Sequence, residues 1–167
     1  MTIGFNHLGR HGRLGNQMFQ YAGLRGIAAH KGYDFAIPPS DFNDEWNDHQ
    51  LFEAFKLTGL TNIEQIPGPY VQEAHFHFDQ NLFDNMPDGH NVYAYLQSTK
   101  YFEHIEEEIR EDFEFKNDIH LPCKEMMNTL QDPIALHVRR GDYIQNSDNH
   151  PPCPKEYYDT ALSKFDN

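Results

Sequence analysis

The sequence predicts an α/β fold made of two units. Short apolar segments, such as residues 2–6 and 92–96, alternate with longer segments whose apolar side chains recur at helical spacing. A glycine-rich loop at residues 8–17 separates the first predicted strand from the first predicted helix. A second apolar run, residues 133–136, leads into a turn that contains two arginines and a glycine. Strands that alternate with helices in this way are typical of α/β proteins.

The first half of the chain begins with a predicted strand, loop and helix. The helix is expected from about Asn16 to Lys31, because its apolar side chains share one face and Gly32 follows as a stop signal. Further on we predict a strand at residues 33–37, a short helix at residues 51–57 and a strand at residues 74–78, where His and Phe alternate.

The second half continues the alternation. The elements predicted in order are a turn at residues 85–89, a strand at residues 92–96, a helix from Ser98 or Thr99 to about Phe113, a helix opened by Pro122 with Met126, Met127 and Leu130 packed inward, a buried strand at residues 133–136, and a last helix from Pro154. A boundary between the two α/β units is expected within residues 114–132, and we place the units at 1–120 and 121–167.

Composition limits the classes of function. The 167 residues hold 13 Lys and Arg against 26 Asp and Glu, a net charge of −13. A protein this acidic lacks the basic surface that nucleic acids and anionic membranes require. No apolar run approaches the length of a membrane span, and the first residues lack a signal segment. Cys123 and Cys153 have no metal or redox spacing, so we expect free thiols in a cytoplasmic protein, with a disulfide as the alternative.

The arginines are concentrated in two places. Of six in the chain, four lie in two short glycine-containing stretches: Arg10, Arg13, Arg139 and Arg140. In the first stretch, loop amides and the positive end of the following helix favour an anion. The alternative is a flexible turn whose glycines only permit tight packing.

The second stretch is residues 137–143. It follows a predicted strand, and ligands of open α/β sheets bind at the carboxyl ends of strands. Arg139 and Arg140 present planar donors suited to phosphate oxygens, with His137 beside them. The alternative is that these arginines only form salt bridges with the many carboxylates of the chain.

Two other segments suggest weaker hypotheses. His75 and His77 have a spacing that could hold a metal ion, but no convincing further ligands are nearby, so a polar strand face is favoured. Residues 41–49 are acidic and contain Trp46, which is typical of a solvated surface; a contact with a sugar hydroxyl is the alternative.

Two motifs together resemble one known family. Residues 12–22, GRLGNQMFQYA, look like the amino-terminal signature of the α-1,2-fucosyltransferases of glycosyltransferase family 11. Residues 137–142, HVRRGD, resemble a motif shared by α-1,2-, α-1,6- and protein O-fucosyltransferases. Residues 97–102, QSTKYF, are similar to a stretch that lies between them in bacterial members. The resemblance spans essentially the whole chain.

The resemblance implies a metal-independent, inverting transfer of fucose from GDP-fucose to the 2-hydroxyl of a galactose in a glycan acceptor. It implies two facing Rossmann-like domains of the GT-B type, with no cofactor besides the donor substrate. Arg139 would act on the donor diphosphate as the catalytic residue. Donor binding would involve His137, Arg140 and Asp142 from the second domain and Arg13, Asn16 and Gln17 from the first.

Family members continue beyond the motif of residues 137–142. The chain is therefore expected to hold the amino-terminal Rossmann-like domain and only the opening strand, loop and helix of the second. A truncated chain would be a poor catalyst, and the rival hypothesis is a non-catalytic nucleotide-sugar-binding fragment or half of a split transferase, completed by a partner chain. Asp142 and the acidic residues at 41–48 are candidates for the catalytic base, and the sequence singles out neither.

Overall fold

A computed structural model of the chain describes residues 1–40 and 49–165. The predictions that concern residues 41–48, namely the acidic segment with Trp46 and its candidate bases, lie outside the described residues. The chain divides into two compact units, Met1–Lys124 and Glu125–Asn167.

The amino-terminal unit is built on a five-stranded parallel sheet. Its strands are β1 (Thr2–Gly4), β2 (Asp34–Ile37), β3 (Asn62–Ile63), β4 (Tyr70–Gln72) and β5 (Asn91–Tyr93), in the order β3-β2-β1-β5-β4. All four pairings are parallel. This confirms the predicted α/β class and is consistent with a Rossmann-like domain. The order changes direction between β1 and β5, and such switch points are where open α/β sheets bind ligands.

Helix α1 (Leu14–Lys31) packs against the sheet and was predicted within two residues at its start. It ends at Gly32, which takes the left-handed conformation that glycine favours (φ 67°). A Cβ atom on Gly26 would lie 1.9 Å from the carbonyl oxygen of Tyr101. That glycine therefore lets the chain after β5 pass directly over the helix.

The remaining helices are short. They are α2 (Leu51–Ala54), α3 (Gln80–Asn85), α4 (Glu106–Asp112), α5 (Asn117–Asn128), α6 (Asp142–Gln145) and α7 (Lys155–Leu162). The predicted single helix up to Phe113 is wrong, since two 3₁₀ turns, Thr99–Tyr101 and Glu103–Ile105, precede α4. Phe102, at φ −139° and ψ 3°, breaks the helix where the chain crosses Gly26.

The strand predicted at residues 74–78 is also wrong. Those residues form a loop after β4, although His and Phe do alternate there. The backbone N–H of Ala74 donates to the carboxylate of Asp79 at 3.0 Å. A local side chain thus satisfies the backbone group that a neighbouring strand would otherwise bind.

In the carboxyl-terminal unit, the predicted buried strand at residues 133–136 is wrong as well. Ile134 and Leu136 are about half exposed and the segment has no regular secondary structure. The described residues of this unit contain no other strand, so no hydrogen-bonding neighbour is available within it. Met126, Met127 and Leu130 are likewise exposed rather than packed inward. Helix α7, after Pro154, forms as predicted.

Candidate functional site

The loop after β1 is held in shape by two glutamines of α1. Gln20, fully buried, donates from Nε2 to the carbonyl oxygen of His11 at 2.8 Å. Gln17 is 2% exposed; its Nε2 donates to the Gly12 carbonyl at 3.4 Å, and its Oε1 accepts from the backbone N–H of Gln50 at 2.9 Å. These bonds fix a loop whose backbone takes positive φ at Gly12 (97°). The side chain of Gln17, which the sequence predicts to face the donor substrate, therefore stabilises the loop.

The start of α1 is exposed at Arg13 and Gly15. Arg13 is the N-cap residue, its side chain forms no capping hydrogen bond, and the first turn holds no acidic residue. A Cβ atom on Gly15 would meet no atom within 4 Å. The backbone N–H groups and the helix dipole at this end favour a negatively charged ligand, and the positive charge of the exposed Arg13 strengthens that preference.

Asn16 connects this helix start to the segment after β5. Its Oδ1 accepts a hydrogen bond from Nε2 of Gln97 at 2.7 Å. Gln97 is the first residue of QSTKYF, residues 97–102, one of the three stretches that carry the family resemblance. The start of α1 and the segment after β5, which flank the switch point between β1 and β5, are thus joined by a hydrogen bond between side chains.

The other predicted donor-binding residues lie in the carboxyl-terminal unit. Arg139 donates to both carboxylate oxygens of Asp142, at 3.1 and 3.2 Å, and its guanidinium lies 4.5 Å from the ring centroid of Tyr143. His137 and Arg140 are exposed. Gly141 takes positive φ (59°) immediately before α6, which places Asp142 in the first turn of that helix. Asp142 thus holds Arg139 in one orientation.

The seven predicted site residues therefore fall into two local groups. Arg13, Asn16 and Gln17 lie at the start of α1, and the remaining four surround Gly141. Their roles toward a donor substrate stay predictions.

A second cluster, at the carboxyl ends of β4 and β5, was not predicted. His11 lies with its ring centroid 4.7 Å from that of Tyr93 and 5.5 Å from that of Tyr95. His7 stacks on Tyr70 at 4.7 Å. Burial, and secondly the positive charge of Arg10, lower the pKa of both histidines, so the imidazoles are kept neutral.

The rings of His11, Tyr93 and Tyr95 form part of the wall of a cleft of about 280 Å³ beside the glycine-rich loop. Nδ1 of His7 and Nε2 of His11 are buried without a hydrogen-bond partner among the described residues. Buried polar atoms normally have partners, so these two nitrogens are exceptions among the described residues, as are Oε1 of Gln20 and Oδ1 of Asn91 in the same unit. The signal in the sequence was only the presence of two histidines in the loop, which pattern reasoning could not connect to strands some 80 residues later.

The family model of glycosyl transferase family 11 matches residues 2–167 of the chain. The chain belongs to this family. Both groups of predicted site residues lie inside the match. The family assignment suggested by residues 12–22 and 137–142 is thereby confirmed.

Curated relatives include glycosyltransferases from bacteria and mammals. An alpha-1,2-colitosyltransferase of Escherichia coli is 24% identical, over 88% of this chain and 59% of its own length. A galactoside alpha-(1,2)-fucosyltransferase 2 of Sus scrofa is 25% identical, over 80% of this chain and 40% of its own. A galactoside alpha-(1,2)-fucosyltransferase 1 of Bos taurus is 27% identical, over 80% and 39%. The family 11 chain thus spans about half the length of these relatives. No solved structure matches it.

Within residues 1–40 and 49–165, no three His, Cys, Asp or Glu side chains come together as a metal site. His75 and His77 stack on each other instead, with ring centroids 3.5 Å apart. None of the helices in those ranges is both long and apolar enough to cross a membrane.

Proposed function

We propose that the protein transfers fucose from GDP-fucose to the 2-hydroxyl of a galactose in a glycan acceptor, with inversion and without a metal ion. The observation that carries this proposal is the family match over residues 2–167, which includes both motifs. The mammalian relatives are named galactoside alpha-(1,2)-fucosyltransferases, which supports the α-1,2 linkage and the galactose acceptor. A GT-B arrangement of two Rossmann-like domains is part of the proposal, supported by the parallel sheet of the amino-terminal unit.

The chemistry requires stabilisation of a leaving diphosphate. As the bond from the anomeric carbon to the diphosphate oxygen breaks, the sugar becomes oxocarbenium-like and negative charge builds on the phosphate. Fixed cations and amide donors aimed at that charge take the place of a divalent ion. In our proposal Arg139 supplies the main positive charge, oriented by Asp142. Arg140, the neighbour of Arg139 in the chain, adds a further donor.

The test is turnover of GDP-fucose with lactose as acceptor, measured by the release of GDP. Arg139→Ala is expected to lower the rate by at least ~10²–10³, the usual cost of losing a charge-stabilising donor. Arg110→Ala is the matched control, because Arg110 is exposed and pairs with Glu106 on the same helix at 2.5 Å. Equal rates for Arg139→Ala and the unmodified protein, both measurably above the rate without enzyme, would contradict the proposal.

The donor sugar is tested in the same assay. The E. coli relative is named as an alpha-1,2-colitosyltransferase, so GDP-colitose is the natural competitor of GDP-fucose. A preference for GDP-colitose would keep the reaction class and change the sugar. Binding of GDP-fucose without any release of GDP would favour the rival function, a nucleotide-sugar-binding fragment that needs a partner chain.

A further inference from the structure

The cleft at the carboxyl ends of β4 and β5 is built from three separate loops. His11 comes from the loop after β1, Phe76 from the loop after β4, and Tyr95 from the segment after β5. The ring centroid of Tyr95 lies 5.5 Å from that of His11 and 5.6 Å from that of Phe76. Phe76 is 75% exposed at the rim. Three aromatic rings therefore meet at an edge of the sheet where α/β proteins bind ligands.

A buried carboxylate fixes the walls of the cleft. Glu73, 9% exposed, accepts hydrogen bonds from the backbone N–H of Tyr95 at 3.0 Å and of Leu96 at 3.3 Å, and from the hydroxyl of Tyr101 at 2.9 Å. Leu96 takes positive φ (51°), which is unfavourable for a residue with a branched side chain. Such strain persists only where the surroundings impose it, and it is concentrated at binding and catalytic sites.

The chemistry of the lining favours an uncharged ligand. Among the described residues that line the cleft there is no Lys or Arg, while Glu73 contributes a carboxylate. Arg10 acts on His11 electrostatically but does not line the cleft, so a diphosphate inside it would touch no guanidinium or ammonium group. A sugar ring offers one apolar C–H face for aromatic rings and hydroxyl groups for polar neighbours such as His11 and His75.

The size agrees with a single sugar. About 280 Å³ lies at the lower end of the ~300–1,000 Å³ typical of small-molecule sites. We propose that this cleft binds a galactoside unit of the acceptor glycan, with Tyr95 and Phe76 as the stacking surface and His11 as a polar wall. This inference rests on the proposed function, because it is that function which requires a galactoside acceptor.

The experiment is saturation-transfer NMR of the full chain with lactose, followed by an affinity titration. Lactose is expected to receive saturation, and Phe76→Ala is expected to weaken binding about tenfold through loss of a stacking partner. Phe165→Ala is the matched control, since Phe165 is another highly exposed phenylalanine (61%) outside the cleft. Tyr95→Ala should weaken binding further, and Tyr95→Phe, which keeps the ring, should restore it.

The outcomes separate this inference from the proposed function. Unchanged lactose binding in Phe76→Ala and Tyr95→Ala, or no saturation of lactose by the unmodified chain, would overturn the acceptor cleft. So would displacement of lactose by GDP alone, because the cleft would then hold the nucleotide. Turnover of GDP-fucose, and its loss in Arg139→Ala, test the proposed function independently of any of these results. If Tyr95→Ala fails to fold, the exposed Phe76→Ala still decides the matter.

Discussion

Each unit contains an arginine–aspartate ion pair, and the two pairs differ in how deeply they are buried. In the amino-terminal unit, Arg25 pairs with Asp112, whose side chain is fully buried. Asp112 also accepts from the hydroxyl of Tyr21 at 2.5 Å and from the backbone N–H of Gly59 at 2.7 Å. In the carboxyl-terminal unit, Arg139 pairs with Asp142, and the two side chains are 49% and 75% exposed.

The difference separates structural ion pairs from pairs that remain available. A buried pair with further hydrogen bonds fixes α1, α4 and the chain near Gly59 to one another, and it cannot be exchanged for a ligand. An exposed pair contributes little to stability, and water or a phosphate can take the place of its carboxylate beside the arginine. The same residue types therefore hold the fold together in one unit and can serve binding in the other.

The strongest test of this comparison is removal of the buried acceptor. Asp112→Ala is expected to lower the free energy of unfolding by ~3–5 kcal/mol, because it leaves the Arg25 guanidinium and the Tyr21 hydroxyl without their partner in the core. Urea unfolding followed by circular dichroism measures this. A loss below ~1 kcal/mol would show that the buried pair is as dispensable as an exposed one.

Two of the three glycines of α1 give the next largest effect. Gly26→Ala should cost ~1–3 kcal/mol, since the new methyl group collides with the backbone of Tyr101. Gly15→Ala is the matched control, because it meets open space and should stabilise the helix by roughly 0.5–1 kcal/mol. Thermal denaturation of both variants measures the difference. Similar melting temperatures would contradict the close packing described for Gly26.

A pH dependence is expected from the two loop histidines. Burial, with Arg10 as the second cause, places the pKa of His7 and His11 below the ordinary 6.5. Below about pH 6.5 the unfolded chain then binds more protons than the folded one, so this contribution to stability is complete above that pH and is lost as pH falls. The midpoint of thermal unfolding should therefore fall on acidification.

The double variant His7→Asn, His11→Asn isolates this contribution. Its melting temperature should depend less on pH below about 6.5 than that of the unmodified chain. His120→Asn, at an exposed position, is the control and should leave the dependence as it was. A double variant with an unchanged dependence would show that the loop does not keep these imidazoles neutral.

The smallest effect concerns the exposed pair. Asp142→Ala should change the free energy of unfolding by only ~0–1 kcal/mol, as for other solvent-exposed ion pairs. The measurement is the same urea titration. A larger loss would mean that the carboxyl-terminal unit depends on this pair for its structure, and the comparison with Asp112 would fail.

The elements that sequence patterns predicted are those specified locally. Helix α1 has a continuous apolar face and a glycine stop, so its end at Lys31 was predictable. Strands β3 and β4 were not predicted, because they are the edge strands of the sheet, none of their residues is buried, and they therefore carry no apolar run. Helix α3 was not predicted either. The strand expected at residues 133–136 failed because an apolar run forms a buried strand only beside neighbouring strands.

The candidate site shows the same division. The motif residues Arg13 and Arg139 could be found from their glycine-containing context alone. Gln20 could not, since its role depends on reaching back to the carbonyl oxygen of His11. Glu73 was equally invisible, because its three hydrogen bonds go to residues 22 to 28 positions away.

The role of Glu73 suggests how the family 11 fold could diversify. One carboxylate holds the framework of the cleft through backbone groups and Tyr101, whereas Phe76 and Tyr95 supply its surface through side chains alone. Exchanges at these two rings would leave the framework's own hydrogen bonds in place. Under the proposal that this cleft binds the acceptor, acceptor preference could therefore be altered at Phe76 and Tyr95 without rebuilding the scaffold beneath them.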